Sequence, residues 1–372
     1  MDYSLVCTSC RHSYGDDCSL ARCSKCGGVL EVSYDYSTLK LGKGFWGGRI
    51  NHRKYTPFYP VTRKLVSMGE GGTRLVSADG IANRAGSGTE LRIKVETSNP
   101  TRTFKDRGST VEITKALELG FGSVCCASTG NMGLSVATYA AHEGLECTVF
   151  ISRSANRKKV DKIRRSGAKV AAISGDFNQA MEACEAYAAR VGSFVCGDYH
   201  YRKEGQKSVA FEIIEQMRKG EPDAVVVQVG NATLLAAMYK GLKELRAARL
   251  IRKLPRLIAV QSNRCDPLVR AYSSGGKVRY MKPKTIADAI AVGYPTFGFE
   301  GLAAIRGTRG FAVSVSDKEI SVAMEMLRHE EGVSAEPGGA TGMAGFLKVH
   351  RLRPKELDGK RVVVVVTGNN EE

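Results

Sequence analysis

The sequence predicts an α/β protein with parallel sheets covered by helices on both faces, preceded by a small cysteine-rich module. Two observations carry this prediction. Beyond Glu90, apolar strand-like runs alternate regularly with helical segments, which is typical of parallel sheets buried between helical layers. At the other end of the chain, five of the 11 cysteines fall within the first 26 residues. With 372 residues, the chain is long enough for two or more domains.

The N-terminal cysteines form two Cys-x-x-Cys pairs, which predict a metal site made of Cys7, Cys10, Cys23 and Cys26. Four thiolates suit tetrahedral zinc and leave no open position for water, so we expect structural rather than catalytic zinc. A nucleic-acid-binding ribbon is the competing interpretation. Cys18 lies between the pairs without a partner at this spacing. Residues 1–40 are therefore predicted to form a zinc-ribbon-like module.

The alternating segments that follow are assigned by their apolar periodicity. The predicted strands cover residues 91–96, 123–127, 147–151, 169–173, 194–197, 224–229, 257–261, 311–315 and 362–366. The predicted helices cover residues 106–119, 134–142, 155–165, 179–191, 207–218, 235–247 and 317–329.

Composition restricts the class of protein. A hydrophobic content of 43% with 25% charged residues is ordinary for a globular protein. We find no apolar run of membrane-spanning length and no signal-peptide pattern, so we expect a cytoplasmic protein without a membrane partner. The net charge of +17 is compatible with nucleic-acid binding, with attraction of anionic small molecules, or with a lineage bias in surface lysine and arginine. Because the basic residues are spread along the chain, nucleic acid is the weakest of these.

Lys105 is the first candidate catalytic residue. Pro100 fixes its own φ and favours an extended Asn99, and a helix is predicted from Asp106 onward. A lysine at such a junction can project into a cleft. If its amine is desolvated there, its pKa falls and it can form a Schiff base with a carbonyl.

Residues 99–108 (NPTRTFKDRG) closely resemble the Asn-Pro-Thr-Gly-Ser-Phe-Lys-Asp-Arg-Gly motif of threonine synthases, which belong to the fold-type II enzymes that use pyridoxal 5′-phosphate. Residues 68–73, 201–207, 285–290 and 293–295 resemble further segments of that family. The resemblance implies two parallel-sheet domains of three layers each. We expect a large cofactor-binding domain from residues 41–104 and 200–372, and a small domain from residues 105–199.

The resemblance also implies a cofactor site. Lys105 would bind the cofactor covalently, Asn131 would contact its 3′-oxygen and Thr367 its ring nitrogen. Two turns that follow strands, 127–133 and 228–234, can present amide groups to anions. The first would hold the substrate carboxylate through Ser128, Thr129 and Met132. The second would hold the cofactor phosphate through a run of five residues: Gly230, Asn231, Ala232, Thr233 and Leu234.

The substrate implied by the resemblance is a small phosphorylated amino acid. Arg202 would bind its phosphate, and Lys159 would add positive charge. We therefore predict conversion of O-phospho-L-homoserine and water to L-threonine and phosphate by a homodimer. A threonine or serine dehydratase, or a related elimination or replacement enzyme, is the alternative, because residues 336–340 and Asn369 depart from the threonine synthase pattern. A zinc-ribbon nucleic-acid-binding protein is the least favoured alternative.

Overall fold

The computed structural model describes residues 2–41, 45–128, 130–153, 157–175, 177–217 and 220–369. Three sheets lie within these ranges. The first is a small antiparallel sheet in the order β2-β1-β3, and it carries the N-terminal cysteines. Its strands are β1 (Tyr3–Cys7), β2 (Ser13–Tyr14) and β3 (Leu30–Tyr34).

The largest sheet has six strands in the order β12-β11-β10-β13-β5-β4. All neighbouring pairs are parallel except β4 with β5, which is antiparallel at one edge. The strands are β4 (Leu75–Ser77), β5 (Glu90–Val95), β10 (Ala224–Gln228), β11 (Arg256–Ser262), β12 (Phe311–Val315) and β13 (Arg361–Val366). The third sheet is fully parallel, in the order β8-β7-β6-β9. Its strands are β6 (Ser123–Ala127), β7 (Glu146–Ser152), β8 (Lys169–Ile173) and β9 (Phe194–Cys196).

Helices connect these strands, as parallel neighbours require. The helices are α1 (Asp79–Arg84), α2 (Lys105–Glu118), α3 (Asn131–His142), α4 (Arg157–Arg165), α5 (Phe177–Val191), α6 (His200–Gln206), α7 (Ser208–Gln216), α8 (Thr233–Ala247), α9 (Pro267–Ser274), α10 (Gly298–Gly307), α11 (Asp317–Glu331) and α12 (Pro337–Leu352). Among the described residues no helix has the length and apolar character needed to cross a membrane.

Core packing explains why the sequences of the central strands are continuous apolar runs. In β13, Val363 and Val365 belong to one buried cluster, while Val362, Val364 and Val366 belong to another. Alternate side chains of one strand thus enter two different cores, one on each face of the sheet. The predicted α/β class, with parallel sheets between helices, is confirmed.

All nine predicted strands are present, with boundaries that differ by at most one residue. The predicted helix 207–218 differs more, because α6 and α7 meet at Lys207 and residues 218 and 219 lie outside the described ranges. All four strands of the smaller parallel sheet lie inside the segment 105–199, and all six of the largest sheet lie inside 41–104 and 200–372. The domain boundaries themselves stay a prediction.

Helix α12 is absent from the helices predicted by periodicity. Glycine disfavours helices by about 1 kcal/mol per residue, and this helix contains four. Close packing explains them. A Cβ at Gly339 would lie 2.4 Å from the carbonyl oxygen of Gly368, and one at Gly345 would lie 2.3 Å from a Val260 methyl. The glycines therefore bring the helix against the sheet.

Candidate active site

Lys105 is the first residue of helix α2, and the turn before it is held from two sides. Asp106 accepts a hydrogen bond from the Thr101 amide at 2.7 Å, which closes the turn on itself. The Phe104 amide donates to the Thr367 carbonyl at 3.0 Å, and Thr103 pairs with Gly368 in an antiparallel bridge. These contacts tie the start of α2 to the end of β13.

Arg102 has a left-handed backbone with a φ of 60°. The motif that this segment resembles has glycine at this position, and glycine adopts this conformation without strain. For an arginine it costs about 1 kcal/mol. The Arg102 carbonyl accepts from the Asn369 amide at 3.0 Å, so the second contact with the β13 segment holds the strained residue in place.

A cleft lies at the carboxyl ends of strands β6, β10 and β13, where parallel sheets usually bind ligands. It contains about 740 Å³ of space, part of which is open to solvent. Its walls are formed by Thr103, Phe104, Lys105, Asn131, Met132, Phe177, Asp198, Gln228, Gly230, Asn231, Ala232, Thr233, Leu234, Ala289, Ile290, Val292, Glu336 and Thr367. Every residue predicted to contact the cofactor is in this set.

The Lys105 amine lies beside a carboxylate that the sequence analysis did not single out. Its Nζ is 3.6 Å from Asp198 Oδ1, with side chains 17% and 5% exposed. Burial lowers the pKa of Lys105, while the Asp198 charge opposes that shift. Burial alone would raise the pKa of Asp198, but Lys105 and hydrogen bonds from Asn231 and Thr233 outweigh it, so this pKa is lowered.

Other polar side chains of the cleft are paired with one another by hydrogen bonds. Asn131 Nδ2 donates to Glu336 Oε1, which links the start of α3 to the residue before α12. Gln228 Nε2 donates to Thr367 Oγ1 and to the Gly339 carbonyl at 3.2 Å. The Thr367 hydroxyl thus keeps its own proton available to a ligand that enters the cleft.

The residues predicted to bind the substrate divide into those at the cleft and those away from it. Met132 lines the cleft. Ser128 is 2% exposed, and its Oγ accepts from the amides of Gly130 and Gly133 at 2.9 and 2.7 Å, so it shapes the turn before α3. Thr129 lies outside the described residues. Lys159 is 5% exposed and reaches the far wall, where its Nζ is 3.8 Å from Glu336 Oε2.

Arg202, which the sequence predicts to bind the substrate phosphate, lies outside the cleft lining. Its side chain is fully buried and does not line the cleft. Nε donates to the Gly197 carbonyl at 3.1 Å, Nη1 to the Lys105 carbonyl at 3.0 Å, and Nη2 to Glu112. Each guanidinium nitrogen thus has a protein partner, and these contacts hold α6 against the first turn of α2.

The four N-terminal cysteines form a separate site. Their Sγ atoms all lie within 4.8 Å of one another, with Cys7–Cys26 at 3.5 Å and Cys10–Cys23 at 3.6 Å. Sulfurs around a tetrahedral zinc are about 3.8 Å apart for a Zn–S distance of about 2.3 Å, so the arrangement fits this ion. A Cβ at Gly28 would lie 3.0 Å from Cys7 Sγ, which accounts for the small residue there.

Sequence reasoning missed Asp198 and Gln228 as members of the cleft. Gln228 ends strand β10, and Asp198 follows β9 by two residues. A polar residue at the carboxyl end of a buried parallel strand is the signal that could have identified both. Glu336 was noticed only as part of a motif. Its burial against Asn131 depends on how α12 packs, which local sequence does not reveal.

Known proteins with similar sequences indicate the enzyme family to which this chain belongs. A family profile described as pyridoxal-phosphate dependent enzyme matches residues 66–368. Threonine synthase of Methanosarcina acetivorans is 36% identical over 99% of this chain and 91% of its own length. For threonine synthase of Methanocaldococcus jannaschii the identity is 36%, over 98% of this chain and 91% of that protein. The chain belongs to the threonine synthase family of pyridoxal-phosphate dependent enzymes. The resemblance stated from the motifs is confirmed.

Solved structures agree with this family at the level of the fold. Maize serine racemase superposes with a TM-score of 0.70 at 22% identity, covering 81% of this chain and 88% of that chain. At this identity the match concerns the backbone arrangement alone.

The cleft residues fit the cofactor of this family. A half-buried lysine is available for its aldehyde, and a hydroxyl at Thr367 for its ring nitrogen. The loop before α8 brings the side-chain donors of Asn231 and Thr233 to the N-terminus of a 15-residue helix, an arrangement that binds anions. A Cβ at Gly230 would lie 3.0 Å from Ile290, so glycine lets this loop pack closely against the residues around Ile290.

Proposed function

We propose that the protein converts O-phospho-L-homoserine and water to L-threonine and phosphate. The observation that carries this proposal is the position of Lys105, whose amine lies in the cleft with Asn131, the 230–234 loop and Thr367 on its walls. The relatives named threonine synthase over nearly the full chain support the same reaction.

Several cleft residues have a proposed task. Lys105 would bind the cofactor aldehyde and, after the substrate amine releases it, move protons at the α- and γ-carbons. Asn131 would contact the cofactor 3′-oxygen, and Thr367 the ring nitrogen. Pyridoxal phosphate, when bound, supplies an electron sink for carbanions next to its imine. The walls made by Met132, Ile290 and Val292 would keep bulk water away from those carbons.

The decisive assay supplies O-phospho-L-homoserine to the purified protein and measures phosphate and threonine together. We expect equal amounts of both products. Phosphate without threonine, or neither product, would contradict the assignment.

Lys105→Ala tests the role of the amine directly. We expect this variant to lose the visible absorbance of the cofactor-bound protein together with the activity, because no other group would hold the aldehyde. Lys64→Ala, at an exposed lysine away from the cleft, is the matched control and should keep both. A visible band that survives in Lys105→Ala would remove Lys105 from this role.

A second candidate function is supported by the burial of Arg202 and the presence of Asp198 in the cleft. A carboxylate near the reacting amine, and an arginine that is buried and paired with Glu112 outside the cleft lining, favour a substrate that carries no phosphate. A threonine or serine dehydratase would release 2-oxobutanoate or pyruvate from the free amino acid. Incubation with L-threonine and assay of 2-oxobutanoate would distinguish the two reactions.

For the N-terminal module we propose structural zinc held by Cys7, Cys10, Cys23 and Cys26. The support is the mutual distance of their sulfurs, and four protein ligands complete the coordination of the ion. We also propose a homodimer, on the strength of the motif resemblance. Light scattering of the purified protein would measure its mass.

A further inference from the structure

Asp198 has no role in the reaction described so far, yet it lies inside the cleft. It is 6% exposed, and its carboxylate lies beside the loop expected to bind the cofactor phosphate. Thr233 Oγ1 donates to Asp198 Oδ1 at 2.7 Å, and Asn231 Nδ2 donates to Oδ2 at 2.9 Å. Both donors belong to that loop.

The surroundings of this carboxylate have the composition of an anion site. Besides the two donors, the Lys105 ammonium lies 3.6 Å away, and Thr233 is the first residue of helix α8. The first amides of a helix have no acceptor within it, and the helix dipole adds positive charge there. Asp198 therefore occupies a place suited to a phosphate.

The carboxylate and the cofactor phosphate would compete for the same donors. A phosphate monoester carries between one and two negative charges at neutral pH, and a second anion among the same buried donors is repelled. We propose that Asp198 is an internal counter-anion, which fills the phosphate-binding loop until pyridoxal phosphate binds and displaces its carboxylate from Asn231 and Thr233. This inference rests on the proposed cofactor site and not on the identity of the substrate.

Two consequences follow for the cofactor. Before binding, the carboxylate keeps Asn231, Thr233 and Lys105 in place. On binding, its hydrogen bonds must break, so Asp198 weakens the affinity for a phosphorylated cofactor. It has no such effect on the same aldehyde without the phosphate, since that molecule leaves the loop untouched.

The test compares pyridoxal phosphate with pyridoxal, both titrated into the full chain after removal of bound cofactor and followed by visible absorbance. The quantity of interest is the ratio of the two dissociation constants. Asp198→Asn should raise the preference for pyridoxal phosphate over pyridoxal about tenfold, since a displaced charged hydrogen bond is worth about that factor. Because both ligands are measured on one preparation, a misfolded fraction does not alter the ratio.

Asp266→Asn is the matched control. Asp266 is also buried and accepts from Ser314 at 2.6 Å and Arg270 at 2.7 Å, but it does not line the cleft, so the ratio should stay at the wild-type value. An unchanged or lowered ratio in Asp198→Asn would overturn this inference while the cofactor site stands. If neither ligand gives a visible band with the wild-type chain, the result contradicts the proposed cofactor site, and with it the proposed function, whatever Asp198 does.

Discussion

Arg202 and Glu112 form an ion pair without solvent contact, and this decides what Arg202 does. Both side chains are buried, and the arginine also holds the Lys105 carbonyl. Loss of one partner would leave the other charge buried and unpaired, which costs about 3–5 kcal/mol. Because Arg202 donates to the Lys105 carbonyl, it holds the backbone of Lys105 in position at the start of α2.

Arg202→Met should lower the free energy of unfolding by about 3 kcal/mol or more, measured by urea denaturation. Adding Glu112→Gln in the same chain should restore most of this loss, because no unpaired charge remains. An Arg202→Met protein of wild-type stability with a raised KM for the phosphorylated substrate would instead support the phosphate-binding role predicted from the sequence.

His52 is a second buried titratable residue, and it makes stability depend on pH. Its Nε2 lies 2.8 Å from Thr110 Oγ1 and its Nδ1 lies 3.1 Å from the Tyr59 hydroxyl. Burial lowers the pKa of His52 to about 4. The folded protein therefore keeps the ring neutral, whereas the unfolded chain protonates it below about pH 6.5.

Stability must then fall as the pH falls from 6.5 toward 4, since the unfolded state binds one proton more. For His52 alone the expected loss is about 2 kcal/mol at pH 5 relative to pH 8. Urea denaturation of the wild type and of His52→Gln at both values isolates this contribution, since all other groups are shared. Equal losses in the two proteins would contradict the prediction.

At the scale of elements, the cysteine module is fastened to the helix that carries Arg202. Strand β3 contributes Glu31, which forms an ion pair with Lys203 on α6, and Tyr34, whose hydroxyl donates to Glu204 at 2.6 Å. Glu204 lies on α6, two residues after Arg202. The module and the first turn of α2 thus contact the same short helix.

Loss of the proposed zinc is expected to loosen this contact. Cys10→Ser should lower the zinc content measured by atomic absorption, and it should lower the melting temperature, because metal-binding energy contributes to folding. Cys18→Ser is the control, since Cys18 is not part of the four-sulfur cluster. A Cys10→Ser protein with full zinc content would show that the four cysteines do not form the metal site.

Across the whole molecule, an ion pair connects the two sides of the cleft. Lys159 lies on α4, next to the small parallel sheet, and its Nζ is 2.9 Å from Asp288 Oδ2. Asp288 begins a short 3₁₀ helix at residues 288–290, beside the cleft wall formed by Ala289 and Ile290. An anionic substrate near Lys159 would compete with Asp288 for its charge.

Asp288→Asn should therefore lower the KM for the anionic substrate by a factor of about 2–3, with kcat nearly unchanged. Its effect on the free energy of unfolding should stay below about 1 kcal/mol, because the Asp288 side chain is 43% exposed. Asp161→Asn, which removes an exposed pair on the same helix, serves as the control for steady-state kinetics. A raised KM in Asp288→Asn would show that the pair assists binding.

Local sequence signals were sufficient to predict the positions of the strands and to single out Lys105 and the four N-terminal cysteines. Buried parallel strands are continuous apolar runs, so their positions follow from the order of residues alone. Lys105 and the four cysteines stand in short motifs whose spacing carries the chemistry. Each of these features depends on residues close together in the chain.

Contacts between segments that are distant in the chain determined which charged side chains face the cleft and which are paired in the interior. Asp198 meets Lys105 and Thr233, and Arg202 meets Glu112, only after α2, α6 and α8 have packed together. Whether a charged side chain faces a cleft or a buried partner depends on that packing and on the cost of leaving a charge unpaired in the interior. Residue order singled out Lys105 as the candidate cofactor lysine, while the charges beside it were arranged by the tertiary structure.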